Sequence, residues 1–122
     1  MVSRMLAVAV DCRDTAGMVE FWCAALGYTE TARWRDTRGV EYVEISRDGE
    51  PTLLFQPVDD PKAGKNRLHL DIAPTTGTQA EEVERLTRLG ARVVSDEPEF
   101  PWVVLVDPQD NEFCVLPPRG TE

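Results

Sequence analysis

Apolar and polar residues alternate near the start of the chain. Leu6, Val8 and Val10 fall on one side, and Ala7, Ala9 and Asp11 on the other. That period of two marks a strand with one apolar face. The period then changes. Met18, Phe21, Trp22, Ala25 and Leu26 recur at helical spacing, a stripe that faces a core. Asp14 or Thr15 is placed to cap this helix and Gly27 to end it. Residues 28–35, 40–47 and 52–58 read as extended. Thr37-Arg38-Gly39 and Asp48-Gly49-Glu50-Pro51 supply the turns between them.

The whole pattern recurs about 62 residues later, with Leu68-His69-Leu70-Asp71-Ile72 in the place of Leu6-Ala7-Val8-Ala9-Val10. Residues 67–73 form the second alternating stretch. Thr78-Gln79-Ala80-Glu81 is a capping-box pattern, and the helix it opens is expected to turn Ala80, Val83, Leu86 and Leu89 inward. Glu81/Arg85 and Glu84/Arg88 are spaced to pair on its outer side. Residues 92–95, 102–107 and 112–116 are the last strands, with a turn at Asp107-Pro108-Gln109-Asp110-Asn111. The repeat defines two modules, 5–58 and 67–117, with a polar linker at 59–66 and a tail at 118–122. A repeated half of this size buries its apolar face against its twin.

At 122 residues, with 42% hydrophobic and 29% charged residues, the chain has the size and composition of one globular domain. The net charge of −9 argues against nucleic acid and anionic membranes as partners, since both require a cationic face. It suits neutral or cationic small ligands. No apolar run is long enough to span a membrane, and the first residues lack a signal-peptide pattern. Cys12, Cys23 and Cys114 form an odd set without metal or disulfide spacing. Reduced thiols in a cytoplasmic protein are the simplest reading.

Three segments carry a family resemblance. Asp14 to Gly27, with Phe21-Trp22 and Leu26-Gly27, resembles the D-x6-F-[YW]-x3-LG signature of the vicinal-oxygen-chelate superfamily. Asp107-Pro108-Gln109-Asp110-Asn111 resembles its D-P-x-G-N turn. Lys65 to Asp71 resembles the central strand of its glyoxalase-like, bleomycin-resistance-like members. The resemblance covers nearly the whole chain. It implies an α+β fold in which two βαβββ modules form a cup-shaped curved sheet, with helices outside and ligand inside. Such proteins usually pair as homodimers, and their functions span isomerases, lyases, dioxygenases, thiol transferases and non-catalytic drug-binding proteins.

Alternation then assigns faces. Leu68, Leu70 and Ile72 are expected to face the helix, and Arg67, His69 and Asp71 the cup. Ala7, Ala9, Asp11, Leu54, Gln56, Glu112, Cys114 and Leu116 are expected to face the cup as well, with Trp102, Val104 and Val106 beside them. Many members of the superfamily chelate a divalent metal with one side chain from the first and last strand of each module. The matching positions here are Ala7, Leu54, His69 and Cys114. Alanine and leucine donate nothing, and two remaining ligands fall short of a stable site. No metal ligand and no cofactor is therefore assigned, and a divalent metal is not favoured.

His69, the only histidine, reads either as a general base or ligand hydrogen-bond donor, or as a hydrogen-bonded structural residue. Asp71 shares its face and reads as a base, or as a partner of Arg67 or of a backbone group. The pair can orient one another only in favourable rotamers, since residues i and i+2 of a strand stand roughly 7 Å apart. Cys114 reads as a small buried thiol more readily than as a nucleophile. Trp22 belongs to the helix stripe. Trp34 and Trp102 are candidates for ligand stacking, with a dimer contact as the alternative for Trp34. Gln56 and Glu112 are further ligand candidates, although Glu112 also fits a solvated rim. Lys62, Lys65 and Arg67 are read as a solvated linker, with anion binding as the alternative.

Two functions follow. One is a small-molecule-binding protein that holds an apolar or cationic compound without turnover. The other is a lyase or isomerase acting on a small carbonyl compound, with His69 as acid–base and Asp71 or Gln56 orienting the substrate.

Overall fold

The alternating start of the chain forms β1 (Val8–Cys12), and the apolar stripe after it forms α1 (Thr15–Leu26). The Asp14 side chain caps α1 by accepting the Gly17 amide at 3.0 Å, and Gly27 closes it in the left-handed region, φ 70°. Then come β2 (Thr29–Arg35), β3 (Glu41–Ser46) and β4 (Leu53–Pro57). The second copy gives β5 (Leu70–Ile72), α2 (Gln79–Leu89), β6 (Arg92–Ser95), β7 (Val103–Val106) and β8 (Glu112–Val115). This computed structural model describes residues 1–119. The last three residues of the expected tail lie outside that range.

The chain is mixed α+β, with two compact units that divide between Pro61 and Lys62. Each holds a four-stranded sheet, ordered β1-β4-β3-β2 in the first and β5-β8-β7-β6 in the second. In both, the first strand lies parallel to the last and the others are antiparallel. Both also carry a register shift in the outer strand, at Glu30/Ala32 in β2 and at Val93/Ser95 in β6.

One face of each sheet is apolar and buried. In the first unit Val43, Ile45, Leu53 and Phe55 lie under α1, which contributes Met18, Phe21, Trp22 and Ala25. In the second, Val103, Leu105, Phe113 and Val115 form the buried layer and α2 contributes Leu86. The capping box is present as the sequence predicts. Thr78 Oγ1 accepts the Glu81 amide, and Glu81 Oε1 accepts the Thr78 amide.

Three expectations change. First, both opening strands are shorter than the alternation predicts. Leu6 and Leu68 are exposed, at 69% and 87%, rather than packed under a helix. Pairing begins only at Val8 with Leu53 and at Leu70 with Phe113, because the partner strands emerge from turns just before those points. Second, α2 buries Leu86 alone, while Ala80 and Leu89 are exposed and Val83 is half-buried. Third, Arg85 pairs with Glu82 at 2.8 Å, not with Glu81, whose carboxylate is committed to the cap. Arg88 and Glu84 pair as expected, at 2.6 Å.

The turn before β8 is organised by Asp107, which is buried. Its Oδ1 accepts the amides of Gln109 and Asn111 at 2.9 and 3.0 Å. Asp110 within that turn has φ 68°, at the position where the resembled motif carries glycine. A side chain other than glycine there costs about 1–2 kcal/mol. Asp110→Gly is therefore expected to raise the stability toward urea by roughly 1 kcal/mol, the weak exposed contact to Arg92 offsetting little of the gain. An unchanged or lower unfolding midpoint would show that the turn gains nothing from glycine.

Candidate functional site

The second unit's sheet arranges its side chains in rows. Leu70, Phe113 and Leu105 are register partners across β5, β8 and β7, and they form one row on the buried face. The next row, Asp71, Cys114 and Val104, points to the opposite, open face. His69 immediately precedes β5, two residues before Asp71. Its Nε2 lies 3.3 Å from Asp71 Oδ1. The rotamers thus bring together two groups that backbone spacing alone would hold apart. Cys114 completes the cluster. The imidazole, carboxylate and thiol donor atoms all lie within 4.8 Å of one another. The His69 and Asp71 side chains are 40% and 58% exposed, whereas Cys114 is nearly buried.

Burial pushes the Cys114 thiol up, Asp71 adds to the rise through its charge and a hydrogen bond, and Lys65 pulls the other way. The thiol is thus held protonated, which blunts it as a nucleophile and leaves it a weak donor toward Asp71.

Glu112 lies on the same strand face as Cys114, but its carboxylate is engaged. Oε1 accepts the Asn66 amide at 3.0 Å, and Oε2 meets Lys62 Nζ at 3.2 Å. Asn66 also donates to Asn111 Oδ1 at 3.0 Å, and Lys62 bonds the Gly64 carbonyl. Residues 62–66 are thus strapped to the start of β8. Lys62 is not a solvated linker charge, its side chain being only 17% exposed.

Trp102 is partly exposed and stacks on Phe100, with ring centroids 4.9 Å apart and planes at 14°. It lies just before β7, two residues ahead of Val104. Trp34 and Gln56 belong to the first unit. Trp34 stacks on Tyr42 at 5.6 Å, and the Tyr42 hydroxyl donates to Asp36 at 2.9 Å. Gln56 is the register partner of Asp11 on the open face of the first sheet. Of the seven residues singled out from the sequence, the structure draws three together, His69, Asp71 and Cys114. Glu112 shares their strand face, Trp102 lies just before β7 in the same unit, and Trp34 and Gln56 are carried by the other unit.

Sequence reasoning missed both aromatic partners. Phe100 was findable, since it sits two residues from Trp102, and Tyr42 has the alternation of its strand. The contact of Lys62 with Glu112 spans 50 residues and leaves no local signal.

A glyoxalase-like domain family matches residues 7–116. The chain belongs to that family, within the vicinal-oxygen-chelate superfamily. Solved structures agree on the fold. A variant of the fosfomycin resistance protein FosX from Listeria monocytogenes, complexed with Mn(II) and a dihydroxypropylphosphonic acid, is 15% identical. The match has a TM-score of 0.78 and covers 99% of this chain and 95% of that one. The trypanothione-dependent glyoxalase I of Leishmania major is 15% identical at TM-score 0.71, over 94% and 86% of the two chains. A glyoxalase/bleomycin resistance/dioxygenase family enzyme from Burkholderia phytofirmans is 20% identical at TM-score 0.66, over 90% and 94%. No curated protein matches the sequence significantly. No helix among the described residues is long and apolar enough to cross a membrane.

The four-ligand metal of the superfamily does not fit these residues. Ala7 and Leu54 stand at two of its positions and have no donor atom, so no step is assigned to such a metal.

Burial pushes the Glu112 carboxyl up, but bonds from the Asn66 amide and Lys62 more than offset it and hold it below the usual value of 4.5. The unfolded chain thus binds the proton more readily, and stability rises with pH in this window. The contribution is complete above pH 4.5 and fades as pH falls through the lower folded value. Glu112→Gln is expected to lower the urea midpoint at pH 7, with the gap to wild type closing at acid pH. A pH-independent gap would refute the charge-based strap.

Proposed function

We propose that this chain is a small-molecule-binding member of its family, and that a cationic or aromatic compound rests on the open face of the second sheet. The cluster of His69, Asp71 and Cys114 carries the reading. Its donor atoms gather within 4.8 Å on a face where the carboxylate is exposed and available to a ligand. Asp71 supplies the charge partner for a cation. His69 and Cys114 supply hydrogen bonds. The stacked rings of Phe100 and Trp102, just ahead of β7 in the same unit, offer a flat wall of the type that attracts both aromatic groups and cations. The net charge of −9 favours the same ligands by long-range attraction. Glu112 serves as the strap for residues 62–66. Gln56 and Trp34 are secondary contacts on the first sheet.

In this reading residues 1–122 act as one domain, and the superfamily's four-ligand metal plays no part. Two copies form a homodimer, a reading supported by the exposed Leu6 and Leu68. Three cysteines outside any disulfide suit a reducing compartment such as the cytoplasm.

A second reading is favoured by the 3.3 Å contact between His69 and Asp71. A carboxylate that holds an imidazole in one orientation prepares it for proton transfer. The protein would then be a lyase or isomerase of a small carbonyl compound, with His69 moving the proton.

Titration with benzyltrimethylammonium, a cation on an aromatic body, tests the first reading. Asp71→Asn is expected to weaken binding about 5-fold or more, the worth of about 1 kcal/mol of Coulomb attraction between an exposed carboxylate and the quaternary ammonium, and Trp102→Ala to weaken it less. Undiminished binding in both variants would place the ligand elsewhere. Under the second reading, His69→Ala abolishes turnover of carbonyl compounds while binding persists.

A further inference from the structure

The same face supports an inference that goes beyond organic ligands. We propose that His69, Asp71 and Cys114 form a three-donor site for a thiophilic divalent cation, of the Zn²⁺ or Co²⁺ class, contained within the second unit. His69 and Cys114 stand at two of the four positions of the superfamily pattern, and Asp71 is a donor that pattern does not include. Here two donors come from one extended segment, His69 and Asp71, and the third comes from its parallel neighbour.

The argument is geometric and chemical. Asp71 and Cys114 are register partners, so their side chains leave the sheet side by side. His69 folds over Asp71 from two residues upstream. Around a tetrahedral ion, bonds of about 2.0 Å to nitrogen and about 2.3 Å to sulfur hold the donors roughly 3.5 Å apart. The donor atoms lie at most 4.8 Å apart. Rotation of the two exposed side chains closes the difference, while Cys114 stays fixed by its burial. One nitrogen, one oxygen and one sulfur donor select zinc and cobalt over magnesium and calcium, which prefer oxygen alone. Three protein ligands leave a fourth position for water.

Cobalt reports the site without any activity. The full chain is titrated with Co²⁺, and the near-ultraviolet band of a thiolate–cobalt bond is followed together with the bound metal per chain. Binding of one ion with that band is expected, unaffected by Mg²⁺. The band disappears in Cys114→Ser and persists in Cys23→Ser. Asp71→Asn and His69→Ala each weaken binding more than about 10-fold, by analogy with the 10–100-fold lost when even an outer-shell partner is removed. These two residues are exposed, so their variants carry the test even if Cys114→Ser loses its fold. Absence of the band, or equal binding in Asp71→Asn and His69→Ala, overturns the cation site. Benzyltrimethylammonium binding measured in chelator separates the two proposals. If it persists while cobalt gives no band, only the cation site falls.

Discussion

Parallel pairing of the first and last strands decides where every candidate side chain falls. β1 and β5 each run parallel to the strand that closes their module, and such pairing demands a crossover, here a helix with strands behind it. The register is fixed from the apolar side. Phe113, Leu105 and Val115 are almost fully buried, as are Phe55 and Ile45 in the first unit. A slip of one residue would send them to solvent and turn Asp71 and Cys114 inward. The polar cluster thus inherits its precision from apolar burial on the reverse of the same strands.

That logic explains what the sequence could disclose. Alternation alone put Asp71 and Cys114 on one face and Phe113 on the other. The helix stripe of α1 is read residue by residue, from Met18 to Ala25. Local pattern failed where tertiary partners decide. Leu6 and Leu68 continue the alternation, yet their partner strands have not begun, so pairing stops short of them. The second helix offered four apolar positions and buries one. Spacing set His69 and Asp71 apart, and only rotamers unite them. The strap on Glu112 joins residues 50 apart, and no periodicity foretells it.

The fold persists with Ala7 and Leu54, which have no donor atom, at two positions that the family resemblance matches to metal ligands. Ala7 precedes β1 and Leu54 points away from the buried row of Leu53 and Phe55, so neither belongs to the buried layer. A sheet whose two sides answer to different demands tolerates such change. One side must pack, and the other is free to vary. The second unit gathers three chemically distinct donors on that side.

The displaced registers in β2 and β6 occupy the outer strand of each sheet, where an unpaired edge is a template for further strands. A bulge increases local twist and disrupts the regular ladder. β6 carries the exposed Val93 and Val94, a sequence that would otherwise invite stacking of one molecule on another. The kink between Val93 and Ser95 breaks the flat, continuous surface that fibril growth requires. The irregularity that makes each module look imperfect is thus of the kind that blunts an edge against strand addition.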